Sequence, residues 1–245
     1  MRNLNLLLPA VLLVFLLPLG CTDEGSAPQS IEVAGSEVAE TIGGALADST
    51  GGITSQIADL AGIVGGGSLE APGTATLHPS VPADTVRFDI TRQRSGLYSY
   101  NYVIHFWYAF QITWIDFGYE MRGTYDTPRR ASNDTAHAEW HATDLLASEI
   151  TVSGNYERSG TEEWKARGTS WHTELVMELL NVTVSRTTGL ITGGSGTVSL
   201  RIEDESGSSA TYVATITFLG NRRASLLIGA VQYLIDLSSG AVITS

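Results

Sequence analysis

The chain is short of lysine and of cysteine, and each shortage removes a class of function. Lys165 is the single lysine among 245 residues, and the thirteen arginines form no basic run. Phosphate neutralisation needs clustered Lys or Arg, so nucleic acid is not an expected partner. Lys165 follows Trp164 rather than glycine, which excludes a Walker-type phosphate loop. The Gly-x-Ser-x-Gly elbow of a nucleophilic hydrolase is also missing. The acid pairs Glu162-Glu163 and Asp204-Glu205 are adjacent in sequence, so on a strand they point to opposite faces and serve paired acid and base chemistry poorly. Cys21 is the only cysteine and has no intramolecular disulfide partner. Long apolar runs are scarce too. The longest, Leu6 to Leu19, has fourteen residues and as a helix spans about 21 Å, short of the roughly 30 Å hydrocarbon core of a bilayer.

What the run does fit is the apolar region of a signal peptide, with Met1 and Arg2 supplying positive charge ahead of it. It ends in Leu17-Pro18-Leu19-Gly20-Cys21. This resembles the lipobox of bacterial lipoproteins, with Pro18 where that family usually carries an aliphatic residue. The resemblance covers residues 1–21 and implies cleavage after Gly20, acylation of the Cys21 thiol and a membrane anchor at that residue. Stable anchoring is expected of two or three chains, since each buried CH₂ contributes about 0.8 kcal/mol. Thr22, where an Asp would retain such a protein at the inner membrane, points to the outer membrane of a two-membrane envelope.

Residues 21–78 read as an acidic, lipid-anchored tether. From Cys21 to Pro72 there are eight acids and no base, and from Thr22 to Gly73 no aromatic residue. Two short apolar patterns interrupt it. Val38, Ile42 and Leu46 recur at four-residue steps, and Ile53, Ile57, Leu60 and Val64 follow at helical spacing up to Gly65-Gly66-Gly67. Such short helices are marginal alone and need a surface, either the sheet or a partner. The missing Lys and Arg exclude a basic membrane-surface helix.

Residues 79–245 alternate apolar and polar positions between turn signals, which predicts an all-β domain. About ten strands with short connections give an antiparallel meander that curls into a curved sheet, half-barrel or barrel. Its densest stretch is Tyr98 to Tyr119, with ten of the chain's twenty aromatic residues. Tyr98, Tyr100, Tyr102, Ile104, Phe106, Tyr108, Phe110, Ile112 and Trp114 share one period-two face, and the phase slips by one at Trp114-Ile115. The expectation is one long bent strand with a bulge there, or a tight turn at Asp116-Phe117-Gly118. Ser159-Gly160, Gly193-Gly194 and Gly220-Asn221 are further predicted turns, the last of type II′.

Two candidate sites follow. Tyr98, Tyr100 and Tyr102 could stack on an apolar or sugar ligand at the mouth of a concave sheet, each keeping a polar tip near water. His137, Glu139 and His141 fall at i, i+2 and i+4, so on a strand they share a face while Ala138, Trp140 and Ala142 face the core. Neighbours at that spacing lie about 6.8 Å apart, so a metal ion would need a further ligand from another strand, His105 or His172. No cofactor is expected. The function expected first is noncatalytic binding or an envelope-structural role, then a carrier of an apolar or sugar ligand, and last a metal-dependent enzyme.

Overall fold

A computed structural model describes residues 31–65 and 85–243. The signal run, Cys21 and the boundary near residue 78 lie outside the described residues. The strands are β1 (Thr85–Arg94), β2 (Ser99–Phe110), β3 (Trp114–Asp126), β4 (Arg130–Thr143), β5 (Glu149–Trp164), β6 (Thr169–Ser185), β7 (Ile191–Glu203), β8 (Ser209–Gly220), β9 (Arg223–Ile228), β10 (Val231–Asp236) and β11 (Val242–Ile243). They form one antiparallel sheet of eleven strands in sequence order, the expected meander. Among the described residues β1 pairs only with β2 and β11 only with β10, so the sheet is not closed.

Two helices, α1 (Gly35–Leu46) and α2 (Ile53–Val64), lie on one face of this sheet, joined by a single 3₁₀ turn at Asp48–Thr50. The apolar spacing places Val38, Ile42 and Leu46 on one side of α1 and Ile53, Ile57 and Leu60 on one side of α2, and all six are fully buried. They join the inner-face residues of the strands in one hydrophobic core. The surface these helices need is therefore the sheet. Gly43 and Gly240 allow the closest approach: a Cβ on Gly43 would stand 2.3 Å from the Gly240 carbonyl oxygen.

The helices also fix the curvature. Asp59 of α2 is paired with Arg92 on the first strand, while α1 packs on β10 and β11 at the other end. Eleven flat strands would be about 48 Å wide, and two helices side by side cover only about 20 Å. The sheet must curl around them. Register shifts between Val152 and Gly154, between Leu180 and Thr183, and between Phe218 and Gly220 bend the long strands to suit.

Some expected boundaries are corrected. The aromatic stretch is a hairpin, not one bent strand: β2 ends at Phe110, the Gln111 N–H donates to the Trp114 carbonyl at 2.8 Å, and Phe110 pairs with Ile115. The phase slip marked this turn, and Asp116-Phe117-Gly118 lies within β3. Ser159-Gly160 and Gly193-Gly194 are inside β5 and β7. Gly160 serves close strand contact, because a Cβ there would meet the Asn133 carbonyl oxygen at 2.3 Å. At the β8–β9 turn the two central residues are Asn221 and Arg222, with φ of 49° and 58°. Positive φ at both is the type I′ pattern rather than II′.

Candidate functional site: an inner polar network and an outer groove

The three tyrosines separate. Tyr98 is in the β1–β2 turn, and Tyr100 stacks on Tyr102 with ring centroids 5.5 Å apart. Tyr102 is buried beneath the helices, where its hydroxyl donates to the Thr50 carbonyl at 2.9 Å and accepts from Arg158 Nη2 at 3.3 Å. The concave side of the sheet is thus filled by the chain's own helices at this point.

Around Tyr102 the inner face carries a network that the sequence reading missed. Arg158 donates through Nε and Nη2 to Asp134 Oδ2 at 3.0 and 2.7 Å, and its Nη1 reaches the Gly44 carbonyl at 3.3 Å. Arg130 pairs with Glu162 and donates to Thr41 Oγ1 at 3.1 Å. The Tyr125 hydroxyl donates to Glu162 Oε1 at 3.2 Å, with the Arg158 guanidinium 5.0 Å from the Tyr125 ring centre. Further along, Arg92 holds Asp59 through two bonds of 2.8 and 2.7 Å, and Trp140 Nε1 donates to Gln56 Oε1 at 3.2 Å. Each of these sheet residues secures the helical segment, directly or through a partner. A signal existed in the sequence: Arg158 and Glu162 fall in phase with Ile150, Val152 and Tyr156, and Arg130 and Asp134 in phase with Ala136 to Ala142. A charge in the apolar phase of a strand must find a partner inside.

Burial shifts the titrations of this network. It pushes the hydroxyls of Tyr102, Tyr119, Tyr125 and Tyr156 upward. Asp59 is likewise raised by burial, an effect the Arg92 contact only partly offsets. Burial opposes the charge on Arg158, yet Asp134 and the surrounding tyrosines outweigh it and leave the guanidinium more firmly protonated than usual.

The outer face is different. His105, Glu120, His137 and Glu157 face one another in direct register across β2, β3, β4 and β5, with Asp89 of β1 at the end of the row. His105, Glu120, His137 and Glu157 line a groove of about 710 Å³ that also includes Arg122 and Glu174. His105 Nδ1 is 2.6 Å from Asp89 Oδ1. Of the predicted metal set, all three side chains project outward from β4, opposite the buried Trp140, as the alternation requires. His137 lies 3.7 Å from Glu139, but His141 turns to Asp116 on β3 at 2.7 Å and against the Trp114 ring. His172 is on β6 beside Glu174 at 3.6 Å. Among the described residues no three His, Cys, Asp or Glu side chains are grouped so that they could hold a metal ion. A second outer groove, about 780 Å³, lies toward the β1–β2 turn and is lined by Tyr100, Asn101, Thr124, Asn133, Thr161 and other polar residues.

No family model matches the chain, and no curated protein and no solved structure is similar to it.

Proposed function

We propose that this protein is an exported lipoprotein, held at the cell envelope by acyl chains on Cys21, with a noncatalytic binding or structural role. The observation that carries the anchor is the single cysteine of the chain, placed directly after Leu-Pro-Leu-Gly at the end of the apolar signal run. Support for a scaffold rather than a catalyst comes from the folded part, whose buried charges are spent on tying α1 and α2 to the sheet. The outer membrane is the favoured site in a two-membrane envelope. Expression with a labelled fatty acid tests the anchor: the wild-type chain takes up label and partitions with membranes, and Cys21→Ser loses both. Label retained by Cys21→Ser would overturn the reading.

A second reading is favoured by the groove near the β1–β2 turn, which is lined by amide and hydroxyl side chains. Polar donors and acceptors suit a sugar better than an apolar ligand, since hydroxyl groups need partners. An apolar ligand on the concave face would have to displace the helices. Binding to envelope glycans that is lost in Asn101→Ala and Asn133→Ala supports the sugar reading, and unchanged binding in both removes it.

A further inference from the structure

Resting on the acylation of Cys21, we propose that the corner formed by the β9–β10 hairpin and the adjoining part of β8 lies against the lipid bilayer. Two independent observations meet there. The first is where the described chain begins. Ile31 packs on the core, the Val33 N–H donates to the Tyr212 hydroxyl of β8 at 3.1 Å, and the Tyr233 hydroxyl of β10 packs against Gly35. The leader therefore departs from the sheet beside β8 and β10. Ile31 is ten residues after Cys21. Ten residues extend at most about 35 Å, so the lipidated cysteine cannot be farther than that from this corner. With α1 and α2 docked on the sheet, ten residue steps of chain separate Cys21 from Ile31, which packs on the core.

The second observation is the surface. Val213, Leu227 and Val231 are 67%, 45% and 53% exposed around the Gly229-Ala230 turn, Val213 and Leu227 on the outer face and Val231 on the opposite face, in phase with Ile228 and Tyr233. From Ser206 to Asn221 and from Ala224 to Ile235 the chain has no charged residue. The outer face of β1 to β5, by contrast, carries Asp89, Arg87, Glu120, Arg122, Glu139 and Glu157 in successive rows. An uncharged hairpin tip that exposes apolar side chains from both of its faces marks an interaction surface, and the short leash selects the bilayer as its occupant. With no Lys or Arg in it, the contact draws on apolar insertion, not on anionic lipid, and keeps its strength in salt.

The test uses the full acylated chain in vesicles of phosphatidylcholine and phosphatidylethanolamine that carry a quencher in the acyl region. The Cys21 thiol is blocked by its lipid, so an introduced cysteine takes a single fluorophore. The expected result is several-fold stronger quenching for Leu227→Cys than for Glu139→Cys. In a Val213→Cys background, adding Leu227→Asp and Val231→Asp removes that excess while the protein stays on the vesicles. Equal quenching at 227 and 139 on a vesicle-bound protein overturns the placement and leaves the anchor standing. Loss of acyl label and of vesicle binding instead overturns the lipoprotein reading, and the placement with it. A Cys21→Ser chain that dimerises until Leu227→Asp is introduced would show a second copy covering the corner, and that too overturns the proposal.

Discussion

The two faces of the sheet set a basic side chain beside an Asp at the same distance for different ends. On the inner face Arg158 lies 2.7 Å from Asp134, with both side chains less than 10% exposed. On the outer face His141 lies 2.7 Å from Asp116, with both about half exposed. Distance does not separate these pairs, but solvent does. Two unit charges at 4 Å attract by about 1 kcal/mol in water and about 4 kcal/mol in the effective dielectric of a protein surface. Removing one partner inside also strands the other without water. The inner pairs consequently specify where α1 and α2 dock, whereas the outer pairs leave a solvated, charge-rich surface open to other molecules.

The widest break between the faces should come at high pH. Tyr102, Tyr119, Tyr125 and Tyr156 are held above their ordinary value by burial. An unfolded tyrosine loses its proton near pH 10, while the folded ones keep theirs. Above about pH 10 the unfolded state therefore binds fewer protons, and stability falls as pH rises, by about 1.4 kcal/mol per pH unit for each group. Four groups give roughly 5 kcal/mol per unit, enough to unfold a domain of ordinary stability within about two units. The tyrosinate absorbance of these four, out of the chain's nine tyrosines, should appear together with loss of circular dichroism in one steep step. Absorbance of all nine that precedes unfolding would place these hydroxyls in contact with water and break the distinction.

Next in size is Arg158→Ala, which leaves Asp134 buried beside an acceptor atom, Oδ1, that already has no partner. A loss of about 3–5 kcal/mol is expected from urea unfolding. The double change Arg158→Met with Asp134→Leu should recover much of it, because no charge is then stranded. Leu60→Ala follows at about 2–5 kcal/mol, since Leu60 is fully buried between α2 and the sheet. A cost below 1 kcal/mol would mean that α2 is loosely held on the sheet.

These assignments differ in how readily the sequence discloses them. The strands were legible because one face is dry: Ile115, Phe117, Tyr119 and Met121 alternate against Asp116, Gly118, Glu120 and Arg122, and the phase alone gives both strand and face. The helices were legible as patterns, but their location was not, since apolar spacing states that a face must be covered without stating by what. Turns at Ser159-Gly160 and Gly193-Gly194 were misread because glycine signals close backbone approach as well as a change of direction. The predicted metal set followed one strand, whereas outer-face neighbours such as His105, Glu120 and His137 are assembled across strands, and register over long separations is not written in local spacing. The buried arginines carried a signal in their phase, yet their partners lie far away in sequence: Arg130 meets Thr41, and Arg158 meets Gly44.

The smallest effect is the most informative about the outer face. His141→Ala removes a 2.7 Å contact to Asp116, with the two side chains 53% and 43% exposed. Asp116 stays hydrated in the variant, so stability should change by no more than about 0.5 kcal/mol. His105→Ala, which removes the 2.6 Å contact to Asp89 in the same setting, should behave alike. The pair of variants can be compared at low and high salt, where screening should erase whatever difference remains. If either costs as much as Leu60→Ala, the outer rows contribute to holding the curl of the sheet, and the division between a structural inner face and a free outer face fails at that strand.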